Sequence, residues 1–150
     1  MKKTLLIISI LAVFLSCNKN KPKIGDYEAT FNGSYTKNGL TVNHDRYQKV
    51  SIIDVTKTEI KLSIYQDGSL SSVLQKDKKN VSGIFFSPSS SGTGAGWFPS
   101  NEITINGEWK QNSDSYTISG NHTYLLTEYD AMNQLINEYT VTGTFEIKSK

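Results

Sequence analysis

Long hydrophobic runs are missing from this chain. The longest covers Leu5–Leu15, about eleven residues, too short to cross the ~30 Å hydrocarbon core of a bilayer but as long as the core of a signal peptide. Cysteine is nearly missing as well: Cys17 is the only one, so no intramolecular disulfide can form. No stretch of about ten residues carries an apolar stripe at i, i+3 and i+4, which argues against an internal helix. The two histidines, His44 and His122, have neither a cysteine nor an acidic cluster beside them, so there is no metal signature. No nucleophile–base or acid–base pair assembles at a useful spacing. The expectation is a protein without catalytic residues, metal or cofactor.

What is present begins at the N-terminus. Met1-Lys2-Lys3 precedes the apolar run, which closes on Phe14-Leu15-Ser16-Cys17. This segment resembles the lipobox of Gram-negative bacterial lipoproteins. The resemblance implies that residues 1–16 are a signal peptide, that cleavage falls before Cys17, and that the cysteine carries acyl chains such as palmitate. Each buried CH₂ of such a chain contributes about 0.8 kcal/mol, and more than one chain makes the anchoring stable. The implied address is the cell envelope, lipid-anchored to a membrane, with the periplasmic side of the outer membrane as the expectation. Acylation also accounts for a thiol left unpaired in an exported protein. An ordinary secretory signal with an incidental cysteine is the alternative.

Residues 17–23 read as the lipidated cysteine and a tether, since Asn18-Lys19-Asn20-Lys21-Pro22-Lys23 is a short solvated run with lysines near a lipid surface. Lys2 and Lys3 leave with the signal, so sixteen basic residues fall to fourteen, equal to the fourteen acidic ones. A neutral chain argues against nucleic acid as partner, which needs a basic face.

Residues 24–150 read as one all-β domain. Apolar and polar residues alternate near 25–36, 48–56, 59–66, 70–76, 81–86, 102–110, 115–129 and 134–148, giving about eight strands. Lys37-Asn38-Gly39, Asp67-Gly68, Asp77-Lys78-Lys79-Asn80 and Gln111-Asn112-Ser113-Asp114 supply turns. Short turns without helical crossovers require antiparallel pairing. Tyr27, Ala29, Phe31, Gly33 and Tyr35 share one face of the first strand, and Ile103, Ile105, Gly107 and Trp109 one face of the sixth. Inner-face glycines recur two positions before a ring: Gly33/Tyr35, Gly83/Phe85, Gly107/Trp109, Gly120/His122 and Gly143/Phe145. Glycine weakens a strand, so its repetition implies sharp bending, as at barrel corners. The expected architecture is therefore an antiparallel barrel, with a β-sandwich as the alternative. Eight antiparallel strands in a meander resemble the lipocalin-like barrels. A four-residue loop at Asp130–Asn133 predicts a last hairpin with Gly120 opposite Gly143 and Tyr124 opposite Tyr139.

One long connection runs Pro88–Pro99, a Gly/Ser half followed by Trp97 and Phe98. Such loops are often functional. Its Gly92-x-Gly94-x-Gly96 lacks the lysine and the following helix of a phosphate loop. The expectation is that Trp97 and Phe98 line the barrel mouth, with Tyr35, Phe85, Trp109 and Phe145 as interior rings; folding of both aromatics back onto the core is the alternative. His122 falls on the inner face, as a hydrogen-bonded histidine or a ligand contact. Asn43-His44-Asp45-Arg46, with the only arginine, reads as a polar loop. These residues imply an envelope protein whose barrel binds a small apolar ligand. A filled barrel acting as an interaction module for another envelope protein is the alternative.

Overall fold

A computed structural model describes residues 24–64, 70–88, 95–112 and 115–149. Cys17, the tether and the Gly92–Gly94 part of the long connection lie outside the described residues. Among the described residues there are ten strands: β1 (Gly25–Lys37), β2 (Leu40–Asn43), β3 (Arg46–Val55), β4 (Glu59–Ser63), β5 (Ser71–Asp77), β6 (Asn80–Phe86), β7 (Gly96–Pro99), β8 (Glu102–Asn112), β9 (Ser115–Tyr129) and β10 (Leu135–Ser149). All neighbours are antiparallel, in the order β10-β1-β3-β4-β5-β6-β8-β9, and β9 pairs back onto β10. That last pairing closes eight strands into a barrel, as the bent, glycine-bearing strands imply, and leaves no sandwich.

The two additional strands extend two of the eight. β1 meets β2 and β3 in one uninterrupted register, with Tyr35 opposite Val42 and Phe31 opposite Arg46. β2 and β3 are thus one strand broken at His44-Asp45, and it turns back on β1 through Asn38-Gly39. Both turn residues have positive φ, 53° and 78°, as a two-residue hairpin of matching twist requires. β7 likewise continues β8 along β9 after an irregularity at Ser100-Asn101.

Alternation places the core as read from sequence. Tyr27, Ala29, Phe31, Ile52, Leu74, Phe85, Ile105, Ile118, Val141 and Ile147 are all buried inside the barrel. Outward positions of β10 such as Glu138, Thr140, Thr142 and Glu146 are exposed, the one-sided pattern of a solvated sheet.

The register of the last hairpin differs from the expectation by two residues. Tyr124 lies opposite Val141, His122 opposite Gly143, and Gly120 opposite Phe145. Tyr129 pairs with Leu135, so the loop is one residue longer than four, and a bulge at Ile136 adds the second residue. Asp130 accounts for the longer loop: its Oδ1 accepts hydrogen bonds from the backbone of Met132 and Gln134, and Asn133 takes a φ of 61°. From Asn137 onward the two-residue shift keeps side chains on their expected face, whereas Leu135, before the bulge, pairs with Tyr129 and shares its outer face. The glycines do align across strands, with other partners: Gly33 opposite Gly143, and Gly107 opposite Gly120. A Cβ on Gly143 would sit 2.0 Å from the carbonyl oxygen of Asn32, and one on Gly120 2.2 Å from that of Asn106. Those contacts show why the wall bends at these points only without side chains.

The two ends of the barrel differ. β1 enters at Gly25, opposite Ile52, beside the last residues of β10. At the other end stands a lip, β2-β1-β10-β9-β7, and among the described residues no strand pairs with the outer edge of β2 or β7. The 13 residues of β1 separate the two ends by roughly 30 Å along a tilted strand.

Candidate functional site

Inner-face parity carried to the ends of the lip strands gathers the site. On β1 the run Tyr27-Ala29-Phe31-Gly33-Tyr35 ends in Lys37, and on β9 the run Tyr124-Leu126 ends in Glu128. β10 contributes Asn137 and Tyr139, and β7 contributes Trp97, which stands opposite Glu128. Three rings form a triangle: Tyr35–Tyr139 at 5.0 Å between centroids, Trp97–Tyr139 at 5.5 Å and Tyr35–Trp97 at 5.9 Å. The Lys37 ammonium lies 4.3 Å from the Trp97 ring centroid and 3.0 Å from Glu128 Oε1. Glu128 Oε2 also accepts from Asn137 Nδ2 at 3.1 Å and from the Tyr139 hydroxyl at 3.4 Å.

Those bonds, above all the one from Lys37, hold the Glu128 carboxyl below its ordinary pKa. The same bond to Glu128 raises Lys37 above its own. The pair is therefore ionised at neutral pH. Trp97 remains 38 % exposed, and Leu40 on β2 stands exposed on the same inner face beside Lys37.

Beneath the lip is a polar layer. The Tyr124 hydroxyl bonds His44 Nδ1 and donates to the His44 carbonyl oxygen at 3.1 Å. Arg46 crosses the barrel: it donates to the Ser100 carbonyl at 3.0 Å and to Ser87 Oγ at 2.9 Å, with its guanidinium 5.2 Å from the Tyr124 ring centroid. Asp45 Oδ1 accepts the Gly33 backbone N–H at 3.1 Å. His122 is 2 % exposed, stacked on Tyr124, with Nε2 donating to the Asn32 carbonyl at 3.3 Å; Nδ1 has no partner. Burial lowers the pKa of both histidines, with Arg46 adding to the effect, and raises Tyr124 to about 12. Both imidazoles are neutral at pH 7.

The sequence-derived site residues separate into three places. Tyr35 and Trp97 meet at the lip. Phe98 does not: neighbours on a strand point to opposite faces, and Phe98 lies against Tyr129 on the outer face, centroids 5.6 Å apart. Trp97 and Phe98 were expected in a loop, but both belong to β7, whose pairing with β9 sets this alternation. Phe85 and Phe145 lie deep in the barrel, packed around Phe31 at 5.1 Å and 6.1 Å. A void able to take a ligand leaves exposed area on the rings around it. Phe31 and Phe85 are 0 % exposed and Phe145 2 %, so at this level the interior is filled by its own side chains, as an eight-stranded barrel allows. Trp109 is also buried, its indole N–H donating to the Lys78 carbonyl at 2.8 Å. His122 is the interior histidine expected, beneath the lip.

Sequence reasoning missed Lys37, Glu128 and Tyr139 as parts of one site, and read His44-Asp45-Arg46 as a loop closed on itself. The signal for the first group was there: alternation that ends in a charge marks where a strand leaves the core. No local signal gives the reach of Arg46 to Ser87 and Ser100.

On the outer wall, Asn32, Ser34, Asn43, Asp45, Thr142 and Thr144 line an open depression of about 440 Å³. Among the described residues no group of three or more His, Cys, Asp or Glu could hold a metal ion. Comparison with models of protein families and with curated protein sequences finds no match.

Proposed function

We propose that this is a lipid-anchored envelope protein that works by binding, with its site at the aromatic lip of the barrel and not within it. The observation that carries this reading is a half-exposed Trp97, on a floor of Tyr35 and Tyr139, above an interior whose rings are spent on one another. A ring cluster with one indole left open suits a small, partly apolar ligand, and the Lys37–Glu128 pair beside it would orient that ligand's polar group. No pair of groups is arranged for general acid–base or nucleophilic work at the lip, so the reading is one of binding without turnover.

Acylation of Cys17 would add a direction. The tether of residues 18–23 reaches at most about 20 Å and joins the barrel at the end opposite the lip. The anchor then holds the base near the membrane and leaves the lip facing away from it. The ligand would arrive from the aqueous side. Leu40, Met132, Leu135 and Ile136 are exposed around the same end, which favours a second reading, contact with another envelope protein.

Two experiments test the proposal. Mass spectrometry of the membrane fraction should find Cys17 at the mature N-terminus with acyl chains, and Cys17→Ser should leave the protein unanchored. Native mass spectrometry of the full-length protein with an envelope lipid extract should find one reproducible adduct that is lost in Trp97→Ala. An adduct that survives that substitution would move the site elsewhere, and crosslinking to a single envelope protein through the lip would favour the second reading.

A further inference from the structure

The lip already contains an occupant, its own Lys37. The ammonium sits 4.3 Å from the Trp97 ring centroid, bonded to a carboxylate that Asn137 and Tyr139 hold in place. Tyr35 and Tyr139 complete the ring triangle with Trp97. Aromatic faces attract cations through their quadrupole, and groups of rings with an anion nearby are how proteins bind alkylammonium ions. Lys37 differs from the rest of the group in one respect. It hangs from the last residue of a strand, beside the Asn38-Gly39 turn, and with its side chain 32 % exposed it can swing out to water while the rings and Glu128 stay put.

We propose that the lip is an organic-cation site whose resident lysine is a displaceable stand-in, and that its ligand carries an alkylammonium group. This rests on the reading of the lip as the binding site and names the chemistry that it recognises. The entering cation takes the place of the Lys37 ammonium over Trp97 and beside Glu128, and Lys37 moves into solvent. The ammonium could be that of a free small molecule or of a lipid head group.

The test uses the full-length protein in maltoside micelles, titrated with tetramethylammonium chloride against sodium chloride of equal strength, with tryptophan fluorescence as readout. Lys37→Ala should bind roughly tenfold more tightly than the unaltered protein, because the competitor is gone, and Glu128→Gln added to it should remove that gain. In the unaltered protein, tetramethylammonium should speed acylation of Lys37 by an amine-reactive reagent, mapped by peptide mass spectrometry. This measurement does not depend on a variant that folds. Adding phosphatidylcholine or phosphatidylglycerol to the micelles separates the sources: a response to the first alone points to a head group, and a response to free choline alone to a small molecule.

Equal affinity in Lys37→Ala and the unaltered protein, together with unchanged Lys37 acylation, overturns the proposal. If an apolar dye then still quenches Trp97, only the ammonium chemistry has failed and the lip remains the site. If no ligand perturbs Trp97, the lip reading fails with it.

Discussion

At the base of the barrel β1 presents Tyr27, Ala29 and Phe31, all buried; four residues beyond Phe31 the same face presents Tyr35, still buried, and then the half-buried Lys37. Base and lip share strands, register and alternation. They differ in what stands opposite. Phe31 meets Phe85 from the far wall and Phe145 on the neighbouring β10, so its face closes on other apolar side chains. Tyr35 meets Trp97 and Tyr139, from strands of the same lip, with the ion pair of Lys37 and Glu128 at their side. The contrast teaches that inward-facing is not the same as core: a barrel residue is buried only as far as the opposite wall is tall.

The comparison can be broken in order of effect. Phe31→Ala opens a cavity in the closed part and should cost about 3–5 kcal/mol in urea unfolding followed by circular dichroism. Gly143→Ala should cost about 3 kcal/mol, since its Cβ would press on the Asn32 backbone. In Gly39→Ala at the lip turn a Cβ meets nothing within 4 Å, so only the positive φ opposes it, at about 1 kcal/mol.

Next in size is a pH effect from the polar layer between the two regions. His44 and His122 have lowered pKa values from burial. The unfolded chain then takes up protons that the folded one refuses. Stability is full above about pH 6.5 and falls as the pH drops below it. Tyr124 acts in the other direction: the folded protein keeps the proton to about 12, so stability falls as the pH rises above about 10. Thermal unfolding between pH 8 and 5 should show the acid decline, flattened in His122→Gln; an unchanged melting temperature would mean that the imidazoles are solvated. Trp97→Ala should cost as little as Gly39→Ala, about 1 kcal/mol, because the indole is half open and, of its partners Tyr35, Tyr139 and Lys37, only Tyr35 is buried. A loss as large as that of Phe31→Ala would make Trp97 part of the core and erase the distinction.

Most of the closed barrel was legible because alternation and turn chemistry are local. Every strand that faces a full opposite wall was placed, and Asn38-Gly39 gave its turn. β2 and β7 were not, being four residues each: short extensions carry too few alternations to read, and Trp97 looked like a loop residue beside glycines and prolines. The hairpin register failed because the Ile136 bulge and the Asp130 side-chain bonds add residues while leaving the faces from Asn137 onward unchanged. The site was legible in Tyr35 and Trp97 only. Its ion pair joins residues 37 and 128 across three strands, a separation set by closure of the barrel.

If ligand binds the lip above a filled interior, the two tryptophans report on the two places separately. Trp97 stands at the lip and Trp109 in the closed part. The most direct measurement is quenching of the full-length protein by a brominated single-chain lipid, in Trp97→Phe and Trp109→Phe variants. Binding at the lip gives saturable quenching of Trp97 and none of Trp109. Equal quenching of Trp109 would put the chain inside the barrel and contradict it.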